Sequence, residues 1–229
     1  MDDLEAKRIA KLLSASKAAF FDIDGTLVDS NEFHVVAWDE AIRQHNRSVP
    51  RDRLREQIGK GADMLVPSLF PGIDEAERQA ISDAHGDIFK CRFLHLVRPF
   101  PSSSDLLRDL HGRGMQTFLV SSSDGKEVEH YAHLLEIEGI LSGTVSFDDV
   151  SQSKPAADLF AVALRKAKVL PEDAIAVGDT PYDVEAAARC KIRTIAVRSG
   201  GFTEEELAVN RPAAIVLDVD SVLRALAHH

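Results

Sequence analysis

The sequence predicts an α/β fold, in which a parallel sheet carries helices on both faces, together with a smaller domain made only of helices. Two observations support this prediction. After Pro99, short apolar runs alternate with helical patterns, which is typical of parallel sheets built from strand–helix–strand units. Between residues 31 and 97 the pattern is helical and contains no strand-like run. We therefore expect residues 1–30 and 98–229 to form the α/β core domain and residues 31–97 to form the helical domain.

The individual elements follow from the same patterns. An amphipathic helix is expected over residues 4–13, followed by a buried apolar strand over residues 18–23. Asn31 is a candidate N-cap for the first helix of the helical domain, and Pro155 is expected in the first turn of a later helix. Further strands, separated by helices, are expected over residues 117–120, 144–147, 174–177, 194–197 and 214–217.

Composition limits the classes of partner. The 229 residues are 45% hydrophobic, which is enough for a sizeable core, and the formal charge is −10. This charge argues against a nucleic-acid backbone or an anionic membrane surface as a partner. No run of about 18 apolar residues is present that could span a membrane. The N-terminus is acidic where a signal peptide would be basic, and two cysteines do not suggest a disulfide framework. We therefore expect a cytoplasmic protein that binds neither nucleic acid nor membranes, and the oligomeric state stays open.

Two aspartates stand at the end of the first predicted strand. Asp22 lies inside the strand pattern and Asp24 at its end, directly before a Gly25–Thr26 turn. Side chains at i and i+2 of a strand point to the same side, where two carboxylates about 4 Å apart would repel by roughly 4 kcal/mol at an effective dielectric of about 20. A divalent cation such as Mg²⁺, which prefers oxygen ligands, would relieve this repulsion. The alternative is an ordinary strand that ends in an Asp-Gly turn.

Three further polar groups are expected at the carboxyl ends of strands, where parallel sheets bind ligands. Ser121 opens a serine-rich turn, Lys154 precedes the proline of a predicted helix, and Asp179 follows a strand. Each residue also has an ordinary structural interpretation. Ser121 could lie in a surface turn, Lys154 could be a solvated lysine, and Asp179 could belong to the N-terminus of a helix. In the last case Thr180 and Asp183 have the spacing of a capping box. Capping, however, does not explain the carboxylate of Asp179.

The run Asp22-Ile23-Asp24-Gly25-Thr26 resembles the signature motif of the haloacid dehalogenase superfamily. Ser121, Lys154 with its proline, and residues 178–183 resemble the second, third and fourth motifs in the family's order, so that the resemblance covers nearly the whole chain. It implies a Rossmann-like core with a helical cap domain, of the phosphoglycolate phosphatase and β-phosphoglucomutase type. It also distinguishes the chain from dehalogenases, which lack the second aspartate.

The resemblance implies a role for each matched residue. Asp22 would attack phosphorus, Asp24 would be the general acid and base, and Ser121 and Lys154 would bind the phosphate. The metal would be Mg²⁺, held by the Asp22 side chain, the Asp24 carbonyl oxygen and Asp179, with Asp183 supporting these ligands without touching the ion. Substrate contacts would come from Gly25, Thr26, Ser122 and His34. Lys60 is a further candidate from the sequence itself, because it lies between two glycines that let the backbone of the predicted cap approach the site closely.

These expectations describe a Mg²⁺-dependent phosphatase that hydrolyses a small phosphorylated metabolite, such as phosphoglycolate or a sugar phosphate, through an aspartyl phosphate. The main alternative is a β-phosphoglucomutase-like hexose-phosphate mutase, because residues 31–38 resemble the start of the mutase cap. Two departures disfavour it: Asp124-Gly125 replaces the mutase's Lys-Asn, and Gly178-Asp179 replaces its Glu-Asp. A non-catalytic binding protein on this fold would be expected to lack Asp22 or Asp24.

Overall fold

The computed structural model describes residues 3–227. The strands are β1 (Ala18–Phe21), β2 (Val28–Asp29), β3 (Arg98–Pro99), β4 (Gln116–Val120), β5 (Gly143–Val145), β6 (Ala174–Gly178), β7 (Arg193–Val197) and β8 (Ala214–Val216). The α-helices are α1 (Asp3–Ser14), α2 (Asn31–Gln44), α3 (Arg51–Arg55), α4 (Ala62–Leu69), α5 (Glu75–Arg92), α6 (Ser103–Gly112), α7 (Gly125–Leu134), α8 (Asp158–Ala167), α9 (Pro181–Arg189), α10 (Glu204–Ala208) and α11 (Val219–Leu226).

Six of the strands form one parallel sheet in the order β5-β4-β1-β6-β7-β8. All four residues of β1 are buried, because helices cover both faces of the sheet. Phe21 packs on one face in a cluster that includes residues of α1, α6 and α11. Phe20 packs on the opposite face with residues of α8 and α9, and its ring meets that of Phe118 edge to face at 5.7 Å between centroids. The predicted α/β fold with a doubly covered parallel sheet is confirmed.

The segment between β2 and β3 is helical, as predicted. It contains α2 to α5, in which α2 and α4 both pack against α5. The antiparallel pairing of β2 with β3 was not predicted from the sequence; it joins the two points at which the chain leaves and re-enters the sheet region. Two residues per strand are too few to produce a readable alternation of polar and apolar side chains. The division into a core domain and a cap domain stays a prediction.

Three predictions about individual elements are wrong. Strand β1 ends at Phe21, so Asp22 lies just beyond it, although its backbone N–H still donates to the Val177 carbonyl at 2.9 Å. Asn31 is the first residue of α2 and does not cap it, because its side chain is used in a distant contact described below. Helix α8 begins only at Asp158, so Pro155 precedes the helix and is not part of its first turn.

In the range 3–227, none of the helices combines the length and the apolar character needed to cross a membrane. Cys91 and Cys190 are both free thiols. The cytoplasmic location stays a prediction from the sequence.

Candidate active site

The predicted site residues converge at the carboxyl edge of the sheet. Asp22 follows β1, Ser121 follows β4 and Asp179 follows β6, and these three strands are neighbours. All three side chains are buried, with exposed fractions of 5%, 1% and 0% respectively. Parallel strands end at the same edge, so residues far apart in sequence meet here.

Lys154 is a buried part of this group, with an exposed fraction of 1%. Its Nζ contacts Oδ1 of Asp22, lies 2.7 Å from Oδ1 of Asp183 and donates to the Val120 carbonyl at 2.9 Å. Burial by itself would lower the pKa of Lys154, but the carboxylates of Asp183 and Asp22 outweigh it and raise the pKa. The alternative of a solvated loop lysine is therefore wrong.

Three carboxylates lie close together beside this lysine, and two of them, those of Asp22 and Asp183, contact it. Oxygen atoms of Asp22, Asp179 and Asp183 all lie within 4.8 Å of one another. The second oxygen of Asp183 accepts hydrogen bonds from the backbone N–H of Thr180 at 3.1 Å and from its hydroxyl at 2.7 Å, which confirms the capping box at the start of α9. Asp183 therefore has two roles: one carboxylate oxygen caps α9, and the other pairs with Lys154.

Asp179 is held by residues that come from distant parts of the chain. Its Oδ1 accepts from the Thr26 hydroxyl at 2.8 Å, and its Oδ2 accepts from the Asn31 side-chain amide at 3.1 Å. The same amide nitrogen donates to the Gly200 carbonyl at 3.0 Å. A Cβ atom on Gly200 would lie only 1.6 Å from Oδ2 of Asp179, so no larger residue fits beside this carboxylate without a shift. Sequence reasoning missed this role of Asn31 because its place before a helix suggested a cap, and it missed Gly200 because that residue belongs to no recognised motif.

The turn after β1 is shaped by Gly25. This residue has φ of +75°, a left-handed conformation that glycine adopts without steric cost. A Cβ atom there would also lie 2.3 Å from Oδ2 of Asp179. The Thr26 hydroxyl is bound to Asp179. The backbone N–H of Gly25 donates to the Val28 carbonyl at 2.9 Å and that of Thr26 to the Ile23 carbonyl at 3.1 Å, so the donors of both predicted substrate contacts in this turn already have partners within the protein.

This buried site has three carboxylates, those of Asp22, Asp179 and Asp183, and one ammonium group, that of Lys154. Burial, followed by the charge of Asp183, raises the pKa of Asp22 to about 7. Burial and the charges of Asp22 and Asp183 raise the pKa of Asp179 well above its usual value. Carboxylate oxygens are the ligands preferred by hard divalent cations, and such a cation would offset the excess negative charge. The residues present therefore fit a hard divalent cation.

Asp24 belongs to a second group of side chains. Its Oδ1 accepts from the Ser30 hydroxyl at 2.5 Å and lies 3.2 Å from Nε2 of His34, while its Oδ2 accepts from the Ser123 hydroxyl at 3.4 Å. Strand β1 ends at Phe21, so the alternation of a strand no longer orients the Asp22 and Asp24 side chains to one side. The two carboxylates belong to different groups of neighbouring acidic side chains, and their close approach stays a prediction.

This second group contains a buried glutamate that the sequence did not reveal. Oε1 of Glu127 accepts from the Ser123 hydroxyl at 2.9 Å and lies 3.9 Å from Nε2 of His34. Burial raises the pKa of Glu127 to about 7. Burial would lower the pKa of His34, but the charge of Asp24 outweighs it and raises the pKa. Glu127 lies in the first turn of α7, where acidic residues are common, so its position carried no distinguishing signal.

A cavity of about 600 Å³ separates the sheet edge from the helical segment. Asp22, Asp24, Ser121 and Ser122 line it from the sheet side, and Ser122 also donates to the Gly59 carbonyl at 3.3 Å. Its lining from the helical segment includes His34, Trp38, Lys60, Arg78 and His85. Of the predicted substrate contacts, Ser122, His34 and Lys60 line this cavity, whereas Gly25 and Thr26 do not.

Lys60 lines this cavity and is not a freely solvated lysine. Its Nζ donates to Oε1 of Gln57 at 2.6 Å and to the Ser68 hydroxyl at 3.2 Å, and it lies 4.5 Å from the ring centroid of Tyr182. Burial lowers the pKa of Lys60. No carboxylate within the described residues forms a salt bridge with it, so its charge is available to a ligand in the cavity.

Comparisons with known proteins agree with this geometry. Residues 19–197 match the family model of the haloacid dehalogenase-like hydrolases. The pyrophosphatase PpaX of Oceanobacillus iheyensis is 25% identical over 211 residues, covering 90% of this chain and 95% of that protein. The phosphoglycolate phosphatase of Salmonella typhimurium is 27% identical over 229 residues, covering 90% of each.

Solved structures show the same fold. A hydrolase from Pseudomonas syringae superposes with a TM-score of 0.86 at 28% identity, covering 93% of this chain and 98% of that one. A protein from Bacteroides vulgatus, provisionally assigned as a β-phosphoglucomutase, superposes with a TM-score of 0.82 at 22% identity, covering 98% of this chain and 99% of that one. The family match spans most of the chain and includes the strand ends that carry Asp22, Ser121, Lys154 and Asp179. The chain belongs to the haloacid dehalogenase-like hydrolase family and is an enzyme of that family.

Proposed function

We propose that this enzyme is a Mg²⁺-dependent phosphatase that hydrolyses a small phosphate monoester through an aspartyl phosphate on Asp22. One observation supports the proposal most directly: Asp22 faces the cavity while it lies against Lys154 and within reach of two further carboxylates. A phosphate in the cavity could thus meet a nucleophile, a buried cation and an oxygen-rich metal site together. The names of the two phosphatase relatives support the same reaction class.

The proposed reaction has two chemical steps, and the same residues act in both. In the first, a carboxylate oxygen of Asp22 attacks phosphorus, the bond to the leaving oxygen breaks, and Asp24 gives its proton to that oxygen. In the second, Asp24 takes a proton from a water molecule whose oxygen attacks phosphorus, and the bond to Asp22 breaks to release phosphate. Lys154 and the hydroxyl of Ser121 would stabilise the negative charge of the phosphoryl oxygens.

The metal site would consist of the Asp22 side chain, the Asp24 carbonyl oxygen and Asp179, with Asp183 as supporting residue. A bound Mg²⁺ would supply charge stabilisation to the phosphoryl oxygens. Asp179 is oriented for this role by Thr26 and Asn31, whose hydrogen bonds fix both of its oxygens.

We further propose that residues 31–97 act as a cap that closes over the cavity and selects the substrate. The contacts between the two sides support this role. Ser153, next to Lys154, donates from its hydroxyl to Oδ1 of Asp63 at 2.6 Å and accepts from the Gly61 backbone N–H at 2.9 Å. These bonds hold the loop at residues 59–61 against the segment that contains Lys154, which supports the proposed role of a cap. Closure of this kind excludes water from the first step.

The substrate class is a small phosphorylated metabolite, for which phosphoglycolate and sugar phosphates are the first candidates. A hexose-phosphate mutase is the second candidate function, and Asp124 disfavours it. This residue lines the cavity at the position where the mutase has a lysine that holds phosphate. Its Oδ2 lies 2.5 Å from Nζ of Lys90, and its Oδ1 caps α7. The chain thus has an ion pair of Asp124 with Lys90 here, in place of the mutase's phosphate-binding lysine.

Metal-dependent release of phosphate from p-nitrophenyl phosphate tests the proposal. Wild-type protein should be active with Mg²⁺ and inactive after chelation, and Asp22→Asn should lose activity because an amide does not attack phosphorus effectively. Asp105→Asn, which removes a mainly exposed aspartate on α6, is the matched control. An active Asp22→Asn variant would refute the mechanism, and a coupled assay converting glucose 1-phosphate to glucose 6-phosphate would detect the mutase.

A further inference from the structure

Two histidines of the helical segment form a chain of contacts that leads to Asp24. His34 lies on α2 and His85 on α5. Nε2 of His34 is 3.2 Å from Oδ1 of Asp24, and its other nitrogen, Nδ1, is 3.2 Å from Nε2 of His85. Neither phosphoryl transfer nor metal binding uses His85, so its contact with His34 needs a separate explanation.

The two imidazole rings are held in place by reciprocal stacking between the helices. His85 of α5 stacks on Trp38 of α2, with 3.8 Å between centroids and 8° between planes. His34 of α2 stacks on Phe89 of α5, with 3.8 Å between centroids and 12° between planes. Both ring planes are therefore fixed by packing, and the hydrogen atoms on the nitrogens decide how well His34 binds Asp24.

Hydrogen-bond chemistry shows what His85 contributes. His34 holds Oδ1 of Asp24, which accepts, only when its Nε2 carries a hydrogen, and the transferred proton can then be carried by Oδ2 of Asp24. If His34 is neutral, its Nδ1 must then accept a hydrogen bond; if it is charged, its Nδ1 must donate one. Nε2 of His85 can take either role, according to its tautomer. His85 thus satisfies the far side of His34 in both states and keeps the N–H of Nε2 directed at Asp24.

We propose that His85 is a positioning residue that acts through His34 to hold the Asp24 carboxyl group for proton transfer to the leaving oxygen. The inference rests on the proposed phosphatase function. The same contacts tie the general acid to α5, the helix that contributes Arg78 and Ser82 to the cavity wall. The orientation of the general acid therefore depends on the placement of the helix that faces the substrate.

Two substrates of nearly equal shape but different leaving groups test this role. Departure of phenolate from phenyl phosphate needs a proton from Asp24, whereas nitrophenolate from p-nitrophenyl phosphate leaves with little help. His85→Phe keeps a ring for stacking on Trp38 but removes both nitrogens. We expect it to lower kcat/KM by about tenfold on phenyl phosphate and by less than about threefold on p-nitrophenyl phosphate. His85→Gln retains a group that donates or accepts, and should stay within about threefold of wild type on both.

A double-mutant cycle identifies the route of the effect. In a His34→Phe background, His85→Phe should cause no further loss, because the residue through which it acts is absent. Equal losses of kcat/KM on both substrates, no loss on phenyl phosphate, or a loss that persists in the His34→Phe background would each overturn the role of His85. Melting temperatures of all variants identify any that fail to fold, and His85→Gln then carries the test. Wild-type protein that releases phosphate from neither compound would overturn the phosphatase function itself.

Discussion

Substitution of Gly200 by alanine should disable the proposed metal site without changing any charged residue. The added Cβ would lie 1.6 Å from Oδ2, 2.4 Å from Cγ and 2.8 Å from Cβ of Asp179. Rotation of the carboxylate alone does not relieve all three contacts. Either Asp179 moves away from its partners Thr26 and Asn31, or the Gly200 backbone moves and loses its own hydrogen bond from Asn31.

The size of the effect follows from these hydrogen bonds. Each hydrogen bond to a charged group contributes about 1.5–3 kcal/mol, and Gly200→Ala sacrifices at least one of them while the other is strained. Returning Asp179 to its position for metal binding should therefore cost about 2–4 kcal/mol. A tenfold change in affinity corresponds to about 1.4 kcal/mol, so the Mg²⁺ dissociation constant should rise by roughly 30-fold to 1,000-fold.

Titration calorimetry with Mg²⁺ and the Mg²⁺ concentration at half-maximal activity measure this change independently. Gly139→Ala is the matched control, because a Cβ there has no neighbour within 4 Å. Thr26→Val, which removes one hydrogen bond from Asp179 without a steric clash, should give a smaller loss of affinity in the same direction. If Gly200→Ala folds and binds Mg²⁺ as tightly as Gly139→Ala, Asp179 does not hold the metal in the geometry described here.

Three further predictions concern the metal and the cap. Asp179→Ala should sharply raise the Mg²⁺ concentration needed for activity, because one oxygen ligand is lost. Asp183→Ala should reduce activity by about 10–100-fold, as expected of a residue that supports the ligands. Loss of metal binding in Asp183→Ala but not in Asp179→Ala would reverse the roles assigned to these two residues. Mg²⁺ at 100 times its dissociation constant should stabilise the wild type by about 2.7 kcal/mol, seen as a rise in Tm of roughly 5–10 °C that chelation removes. Lys60→Ala should lower kcat/KM for an anionic metabolite by about 10–100-fold but change p-nitrophenyl phosphate hydrolysis far less. The control is Arg55→Ala, which should affect neither substrate because the Arg55 guanidinium is already paired with Glu32 at 2.9 Å. Equal losses on both substrates in Lys60→Ala would indicate a general structural role.

The sequence by itself determined the sheet and the strand-end part of the site. Apolar runs alternating with helical patterns predicted the order of strands and helices, because strands buried on both faces need continuous apolar residues. Asp22, Ser121 and Asp179 were predictable as neighbours because each follows a strand and parallel strands end at one edge. Their motifs also indicated the family, which the family match confirmed.

Only the tertiary structure decided how each side chain is paired. The amide of Asn31 reaches Asp179 across 148 positions of the sequence, and its place at the start of a helix suggested a cap instead. The Asp24 carboxylate contacts His34 and Ser123, and Glu127 and His85 belong to the same group although no sequence motif marks them. Local patterns report the period and burial of an element. A buried polar group, in contrast, needs a hydrogen-bond partner, because burying it unpaired costs free energy. Which residue is that partner depends on which distant segments of the chain fold against it.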